Sequence, residues 1–153
     1  DVGIADSNAL VVAVAAYQAC HFNGMPECSV NLAQAVVYLS MAPKSNALYA
    51  AYENCKEDAV KMLAEPVPLQ IRNAPTRLME ELHYGEGYIY AHNTEEKVTA
   101  MRCLPDSLKD KRYYVPTGEG KEAEVKEKLD RILKWKREQE NKKRQGNKES
   151  KEE

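Results

Sequence analysis

Residues 7–43 read SNALVVAVAAYQACHFNGMPECSVNLAQAVVYLSMAP, and Glu27 is the one formally charged side chain among them. Gly24 and Pro26 divide this stretch into two segments. We interpret the segments as two helices joined by a turn, because glycine is favoured just after a helix C-terminus and proline cannot continue the helix. Helices that are apolar or neutral on nearly every side are typically buried. Two such helices in succession are hard to cover within 153 residues.

Two interpretations of this helical hairpin follow. The hairpin is the centre of a compact α domain, or it also contributes to a subunit interface, since obligate interfaces resemble a domain core cut in half. The near absence of charge favours the interface. The candidate interface residues on the two helices are Val11, Val14, Leu32, Val36 and Tyr38.

Further helices are predicted on the C-terminal side of the hairpin. One begins at Ser45-Asn46 and stops before Pro66, and a short one covers TRLMEELHY, residues 76–84. The last is the charged helix EAEVKEKLDRILKWKREQENKK, which starts at Glu122 and carries one apolar stripe at i, i+4, i+7 and i+8. The first helix is predicted to begin after Asp6-Ser7, which are both good N-cap residues.

The predicted fold class is therefore mainly α. The alternation in GYIYAH, residues 87–92, leaves room for one short β hairpin between residues 88 and 115. We expect a helical domain over residues 1–136. A charged, low-complexity and disordered tail is expected over residues 137–153.

Net charge, cysteine spacing and the length of the apolar runs exclude several classes of protein. The chain has 22 Lys+Arg and 24 Asp+Glu, a net charge of −2, so it lacks the strongly basic character of a dedicated nucleic-acid domain. Four cysteines without Cys-x-x-Cys spacing favour a reduced, cytosolic setting with small buried thiols. There is no secretory signal pattern and no apolar run of the roughly 20 residues that a membrane span needs. The chain begins without Met, and we expect it to be part of a longer protein.

Phosphate-binding and metal-binding motifs are not found in the sequence. GEGK at residues 118–121 lacks the spacing and the Ser/Thr of a phosphate-binding loop, and Gly85-Glu86-Gly87 lacks the third glycine of a dinucleotide fingerprint. The histidines His21, His83 and His92 have no metal-ligand spacing. We therefore assign no catalytic, cofactor-binding or metal-binding residue.

Residues 72–92, RNAPTRLMEELHYGEGYIYAH, allow two interpretations. In the first, they form a structural corner with a short helix capped by Asn73 or Thr76 and ended by Gly85. In the second, the corner also presents a rim to a partner, because arginines beside tyrosines suit phosphate or carboxylate recognition and base stacking. The candidate partner-facing residues are Arg72, Arg77, Tyr88, Tyr90 and Arg112.

Three segments closely resemble one protein family. They are DVGIADSNALVVAVAAYQA, LAQAVVYLSMAPKSNALYAA and VPLQIRNAPTRLMEELHYGEGYIYAHN. They resemble the C-terminal region of the replication-associated recombination protein A family, also called maintenance of genome stability protein A. These are AAA+ ATPases related to the Werner helicase-interacting protein, and the resemblance extends to about Pro116.

The resemblance implies a helical oligomerisation domain that follows a AAA+ module, similar to the collar of clamp-loader subunits. It implies a homotetramer and a DNA-dependent ATPase whose ATP and Mg²⁺ site lies N-terminal to this segment, with no cofactor bound here. It further implies a role in replication-fork maintenance, recombination and repair, with DNA and replication proteins such as single-stranded DNA-binding protein as partners. The implied location is the bacterial cytoplasm, in association with the nucleoid, and not a membrane. The alternative function is a binding module for DNA or a replication protein through the surface of residues 67–92.

Overall fold

A computed structural model describes residues 1–62 and 65–149, and within the last helix the side chains of residues 143, 144 and 146–149 are left undescribed. The described chain is helical, as the sequence predicts. The helices are α1 (Asn8–Asn23), α2 (Ser29–Met41), α3 (Ala47–Lys61), α4 (Arg77–Glu81) and α5 (Glu122–Glu149). Short 3-10 turns cover Gly3–Asp6, Leu69–Ile71, Ala91–Asn93 and Asp106–Leu108. The chain divides into two compact units, Asp1–Asp58 with Arg112–Lys128 and Ala59–Lys111 with Leu129–Glu153.

Local chemistry sets the ends of α1. Its first residue is Asn8, as the sequence predicts, but the capping oxygen comes from Asp6, whose Oδ1 accepts the Asn8 N–H at 3.0 Å. The side chain of Ser7 makes no capping hydrogen bond. At the other end Gly24 has φ 71°, and its N–H donates to the carbonyl of Cys20 at 3.0 Å. Glycine adopts this left-handed conformation without the steric cost that a Cβ would add.

Small side chains form the buried interior of the first unit. The hairpin helices α1 and α2 pack against each other, and Ala9 and Ala35 are their buried hydrophobic residues. The other buried hydrophobic residues of this unit are Ala5, Cys28, Ala42, Ala47 and Ala51. Packing through alanines brings the helix backbones close together, and it leaves the large apolar side chains of both helices on their outer surfaces.

In the second unit, α4 is shorter than predicted. Thr76 is its N-cap, and Thr76 Oγ1 accepts the Met79 N–H at 3.4 Å. Pro75 thus lies before the cap, and the helix ends at Glu81. Gly85, with φ 75°, lies in the turn beyond that end, where its N–H donates to the carbonyl of Leu69 at 2.8 Å.

No strand occurs in residues 1–62 or 65–149, so the additional β hairpin between residues 88 and 115 is absent from the structure. Local hydrogen bonds take the place of strand pairing. The Tyr88 N–H donates to the carbonyl of Gly85 at 3.1 Å. The Thr94 hydroxyl oxygen lies 2.7 Å from the carbonyl of Ala91 and 3.0 Å from that of Val98, so its one hydrogen is donated to or shared between these two acceptors. Side-chain hydroxyls that bond to the backbone in this way compete with a sheet ladder.

The last helix carries the predicted apolar stripe. Val125, Leu129, Ile132 and Leu133 are each half-buried, while the neighbouring charged residues Glu124 and Lys126 are exposed. The helix continues to Glu149, across the domain boundary predicted at residues 136/137. Residues 150–153 of the predicted tail lie outside the described residues, and the boundary itself stays a prediction.

Candidate functional site

The outer faces of α1 and α2 form an exposed apolar surface. The expectation that both helices are buried on all sides is wrong for the single chain. The exposed large apolar residues of the two helices are Leu10, Val11, Val14, Tyr17, Phe22, Val30, Leu32, Val36, Val37 and Met41. We call these residues the hairpin surface. Exposed apolar patches on folded proteins are characteristic of protein, membrane and ligand interaction surfaces.

Four of the five predicted interface residues belong to the hairpin surface. Val11 and Val36 are 62% and 64% exposed, and Val14 and Leu32 are 47% and 45% exposed. Tyr38 differs, because it is half-buried and its hydroxyl donates to Asp6 Oδ2 at 2.6 Å. This bond, together with burial, raises the pKa of Tyr38, and the same bond lowers the pKa of Asp6. Tyr38 therefore ties α2 to the segment that precedes α1.

A groove of about 210 Å³ separates α1 from α2 on one side of the hairpin. Small apolar and amide side chains line it, without a formal charge: Val12, Ala15, Ala16, Ala19, Asn31, Gln34 and Ala35. The exposed apolar residues extend onto α3 through Leu48, Tyr49 and Tyr52, which sequence reasoning did not include. The i, i+1, i+4 spacing of these residues is a signal that could have identified them.

Glu122 is the centre of a buried polar cluster that the sequence did not indicate. Its side chain is fully buried at the first position of α5. Ser45 Oγ donates to Glu122 Oε2 at 2.5 Å, and Tyr114 OH donates to Oε1 at 2.6 Å. The Thr117 N–H donates to Oε2 at 3.1 Å, and Thr117 Oγ1 makes a further short hydrogen bond to the same oxygen. Both carboxylate oxygens thus accept hydrogen bonds from hydroxyl or amide donors.

Backbone hydrogen bonds hold the segments around this cluster together. The Lys121 N–H donates to the carbonyl of Ala5 at 2.9 Å, and the Ser45 N–H donates to the carbonyl of Asp1 at 2.8 Å. Gly120, with φ 51°, allows this approach, because a Cβ there would overlap the Ala5 carbonyl oxygen and lie 2.6 Å from Pro43 Cγ. These backbone contacts and the buried hydrogen bonds of Glu122 suit a structural anchor.

Stability is expected to depend on pH through this cluster. Burial raises the pKa of Glu122, but the hydrogen bonds from Ser45, Thr117 and Tyr114 outweigh burial and lower the pKa from 4.5 to about 2. A depressed folded-state pKa contributes stability that is complete above pH 4.5 and is lost as the pH falls towards 2. Burial, and then the bond to Glu122, raises the pKa of Tyr114 from 10.0 to about 12. Its contribution is complete below pH 10.0 and is lost as the pH rises towards 12.

Urea unfolding followed by circular dichroism from pH 2 to 12 measures this dependence. A Glu122→Gln variant is the control, since its loss of stability between pH 4.5 and 2 is expected to be smaller than that of the native chain. Equal acid-side slopes for the two proteins would contradict the assignment.

The predicted partner-facing arginines of the second unit already have partners within the chain. Arg72 Nε donates to the carbonyl of Val67 at 2.5 Å, and the guanidinium carbon lies 4.9 Å from the centre of the Tyr84 ring. Arg77 is 90% exposed, and its Nε lies 3.1 Å from Glu81 Oε1. Arg72 thus has contacts that hold the corner, while Arg77 is a solvated surface charge.

The remaining candidates are surface residues. Tyr88 and Tyr90 are exposed, and the Tyr90 ring lies 5.0 Å from that of His92. Arg112 belongs to the first unit, where its Nε donates to the carbonyl of Tyr114 at 3.4 Å. A role for these residues in partner binding stays a prediction.

Within the described residues, no group of three or more His, Cys, Asp and Glu side chains is placed to hold a metal ion. None of the helices described is both long enough and apolar enough to cross a membrane.

Comparison with known proteins identifies the family. A family model described as MgsA AAA+ ATPase C terminal matches residues 1–133. The chain belongs to this family. The match includes the hairpin surface, the corner of residues 72–92 and the Glu122 cluster, so the resemblance noted in the sequence is confirmed.

Individual relatives carry matching names. The chain is 46% identical over 133 residues to replication-associated recombination protein A of Haemophilus influenzae, covering 86% of this chain and 30% of that protein. It is 43% identical over 130 residues to the Escherichia coli K12 protein of the same name, covering 84% and 29%. It is 41% identical over 115 residues to ATPase WRNIP1 of Dictyostelium discoideum, covering 74% and 13%. The chain thus spans less than a third of the length of these relatives.

Proposed function

We propose that this chain is the self-association domain of a AAA+ ATPase that acts in replication-fork maintenance and recombination. The observation that carries the proposal is the hairpin surface, which is exposed in the single chain. The names of the relatives, replication-associated recombination protein A and ATPase WRNIP1, support the placement in recombination.

A second copy of the chain is the occupant that suits the hairpin surface best. Glu27 is the one formal charge in residues 7–43, so two copies that meet through this surface bury almost no charge. Burial of an unpaired charge is the main electrostatic cost of an interface, whereas contact between apolar faces is favourable. In a closed symmetric assembly, each patch must meet a complementary patch on an identical chain. A neutral apolar patch is complementary to another copy of itself, because no opposite charges have to be matched.

In this proposal the assembly is a homotetramer, and the ATPase machinery lies elsewhere. The ATP and Mg²⁺ site belongs to a segment N-terminal to residue 1 of this chain. DNA and replication proteins such as single-stranded DNA-binding protein are partners of the whole ATPase, which works in the bacterial cytoplasm at the nucleoid. In this proposal the chain holds the subunits of the assembly together and contributes no catalytic residue.

Multi-angle light scattering of the chain between about 1 and 100 µM tests the proposal. We expect a mass near four times the 17.3 kDa of one chain. A mass of one chain throughout that range would overturn the proposal.

A groove in the second unit favours a second candidate function, the binding of a protein or DNA partner. The groove measures about 330 Å³. It combines exposed apolar side chains with two arginines and two carboxylates. Its lining residues are Glu65, Pro66, Val67, Pro68, Leu69, Gln70, Arg72, Arg102, Leu104, Pro105 and Asp106. A groove with apolar walls and a nearby arginine suits a peptide that carries a carboxylate.

Separate substitutions of Arg72 and Arg77, the predicted partner-facing arginines of the second unit, distinguish a role in folding from a role in binding. Arg72→Ala is expected to lower the free energy of unfolding by about 1–2 kcal/mol, because it removes a hydrogen bond and a cation–π contact. Arg77→Ala is expected to change it by less than about 0.5 kcal/mol, since an exposed ion pair contributes little. Thermal unfolding measures both effects.

Partner binding by the complete ATPase provides the second readout. If the corner faces a partner, Arg77→Ala weakens binding to DNA or to a replication protein without lowering Tm. Unchanged binding by the Arg77→Ala protein would remove Arg77 from the partner-facing set. Equal stability of the two variants would contradict the structural role of Arg72.

A further inference from the structure

The sequence of the last helix divides the charge of the chain into two opposite parts. Residues 131–148 contain 8 Lys+Arg and 2 Asp+Glu, a net charge of +6, whereas residues 1–130 contain 13 Lys+Arg and 19 Asp+Glu, a net charge of −6. The small net charge of the whole chain conceals this division. The family match ends at residue 133, so most of the basic segment lies beyond it. A basic segment on an otherwise acidic protein attracts a polyanion at one place on the surface.

The helix places four of these cations on one side. Between residues 131 and 142 the exposed residues follow i, i+3, i+6, i+7, i+10 and i+11 spacing, which is one face of an α-helix. These exposed residues are Arg131, Lys134, Arg137, Glu138, Asn141 and Lys142. We call Arg131, Lys134, Arg137 and Lys142 the cationic face. Glu138 is the one carboxylate among them, so the exposed side of this stretch carries a net charge of +3.

The opposite side of the same stretch is in contact with its own unit. Trp135 is half-buried, and its Nε1 donates to Glu96 Oε1 at 3.3 Å. Glu140 Oε1 lies 3.8 Å from Arg102 Nε. Among the described side chains, none of the four cations of the cationic face forms a salt bridge. The contacts of Trp135 and Glu140 therefore leave the cationic face toward solvent, and they occupy the side that would otherwise enter a lipid surface.

We propose that the cationic face binds the phosphate backbone of duplex DNA. The stretch from residue 131 to residue 142 is about 16 Å long at a rise of 1.5 Å per residue. Duplex DNA presents one negative charge per about 1.7 Å of its axis, so several phosphates lie within reach of this length. No aromatic side chain is among the exposed residues of the stretch, and single-strand binding typically uses stacking on aromatic rings. The choice of DNA among polyanions rests on the function proposed above.

Fluorescence anisotropy of a labelled DNA duplex, titrated with the 153-residue chain at about 50–200 mM salt, tests this proposal. Four phosphate contacts give a slope of log K against log salt of about −3.6, so the affinity is expected to fall about a hundredfold across this range. The Lys134→Gln/Arg137→Gln variant removes two contacts. We expect it to reduce the slope to about −2 and to weaken binding at least about tenfold at the lowest salt concentration. Glutamine is a helix former comparable to lysine and arginine, so circular dichroism should show unchanged helix content.

Lys126→Gln/Lys128→Gln is the matched control. It removes the same charge from exposed positions of the same helix, outside the cationic face. We expect it to change the slope by less than about 1. Equal slopes for the two double variants would overturn the proposal, because net charge alone would then determine the affinity. Tighter binding to a single strand than to the duplex, or binding to phosphatidylserine vesicles without binding to the duplex, would also overturn it.

Light scattering of the same proteins distinguishes this proposal from self-association. Both double variants are expected to keep the mass of the native chain. If the native chain has the mass of one chain and its DNA binding still weakens in Lys134→Gln/Arg137→Gln, self-association is overturned and the role of the cationic face is supported. If the native chain assembles but does not bind the duplex, the role of the cationic face is overturned and self-association is supported.

Discussion

Replacing Val36 with aspartate is expected to convert the assembled protein to single chains without unfolding it. Val36 lies on α2 and is 64% exposed in the single chain, so a carboxylate there remains hydrated as long as the chain is alone. In an assembly built on the hairpin surface, the same carboxylate loses its water without gaining a cation, because residues 7–43 contain no Lys or Arg. An unpaired buried charge costs several kcal/mol.

The expected size of this effect makes it easy to measure. Every 1.4 kcal/mol weakens association about tenfold, so a cost of about 3–4 kcal/mol raises Kd by roughly 10²–10³. Light scattering across a concentration series should show the native mass for the unaltered chain and the mass of one chain for Val36→Asp. In a two-fold symmetric interface the substitution occurs twice, which strengthens the effect.

Val60→Asp is the matched control. Val60 lies on α3, is 65% exposed and is outside the hairpin surface, so it introduces the same charge at a comparable exposure. It is expected to leave the assembled mass unchanged. If both variants dissociate, added charge alone disrupts the assembly; if Val36→Asp keeps the native mass, the hairpin surface is not the interface. Circular dichroism should report similar helix content in all three proteins.

The helices of the hairpin were predictable because their signals are local. Gly24 ends α1 through its own backbone conformation, and the capping group of Asp6 is two residues from the N–H that it accepts. Burial was not predictable in the same way. Since α1 is apolar on all sides, its sequence does not show that Ala9 faces the interior while Leu10 and Val11 face solvent. Only the packing of α1 against α2 decides this.

The other differences between the predicted and the observed structure have two causes. Some contacts join residues that are far apart in the sequence, and some local hydrogen bonds compete with the predicted strand. Glu122 and Ser45 are 77 residues apart, so no spacing rule could have paired them. The alternation of residues 87–92 predicts a strand, but a strand needs a partner, and the hydroxyl of Thr94 instead stabilises local turns.

Replacing Glu122 with alanine is expected to cause the largest loss of stability among the substitutions considered. The change leaves the hydroxyls of Ser45, Tyr114 and Thr117 and the Thr117 N–H without their acceptor in a buried place. Leaving a buried polar group unsatisfied costs about 1–3 kcal/mol. Some of the four donors will regain water, so we expect a total of about 3–4 kcal/mol. For a chain of this size that corresponds to a Tm lower by roughly 6–15 °C.

Two further variants distinguish the contribution of the hydrogen bonds to stability from that of the negative charge and from that of a carboxylate in the first turn of α5. Glu122→Gln keeps the length and one acceptor oxygen but brings an NH₂ group against donors, so an intermediate loss is expected, near 2 kcal/mol as a rough value. Glu124→Gln removes a carboxylate from the same first turn of α5 at an exposed position, and it should change stability by less than about 0.5 kcal/mol. The order Ala, then Gln, then the Glu124 control, measured by thermal unfolding at pH 7, identifies the buried hydrogen-bond network as the source of stability. If Glu122→Ala lost no more stability than Glu124→Gln, the buried hydrogen bonds would not be the source of stability. Backbone contacts alone would then hold together the N-terminal segment, the residues before α3 and the start of α5.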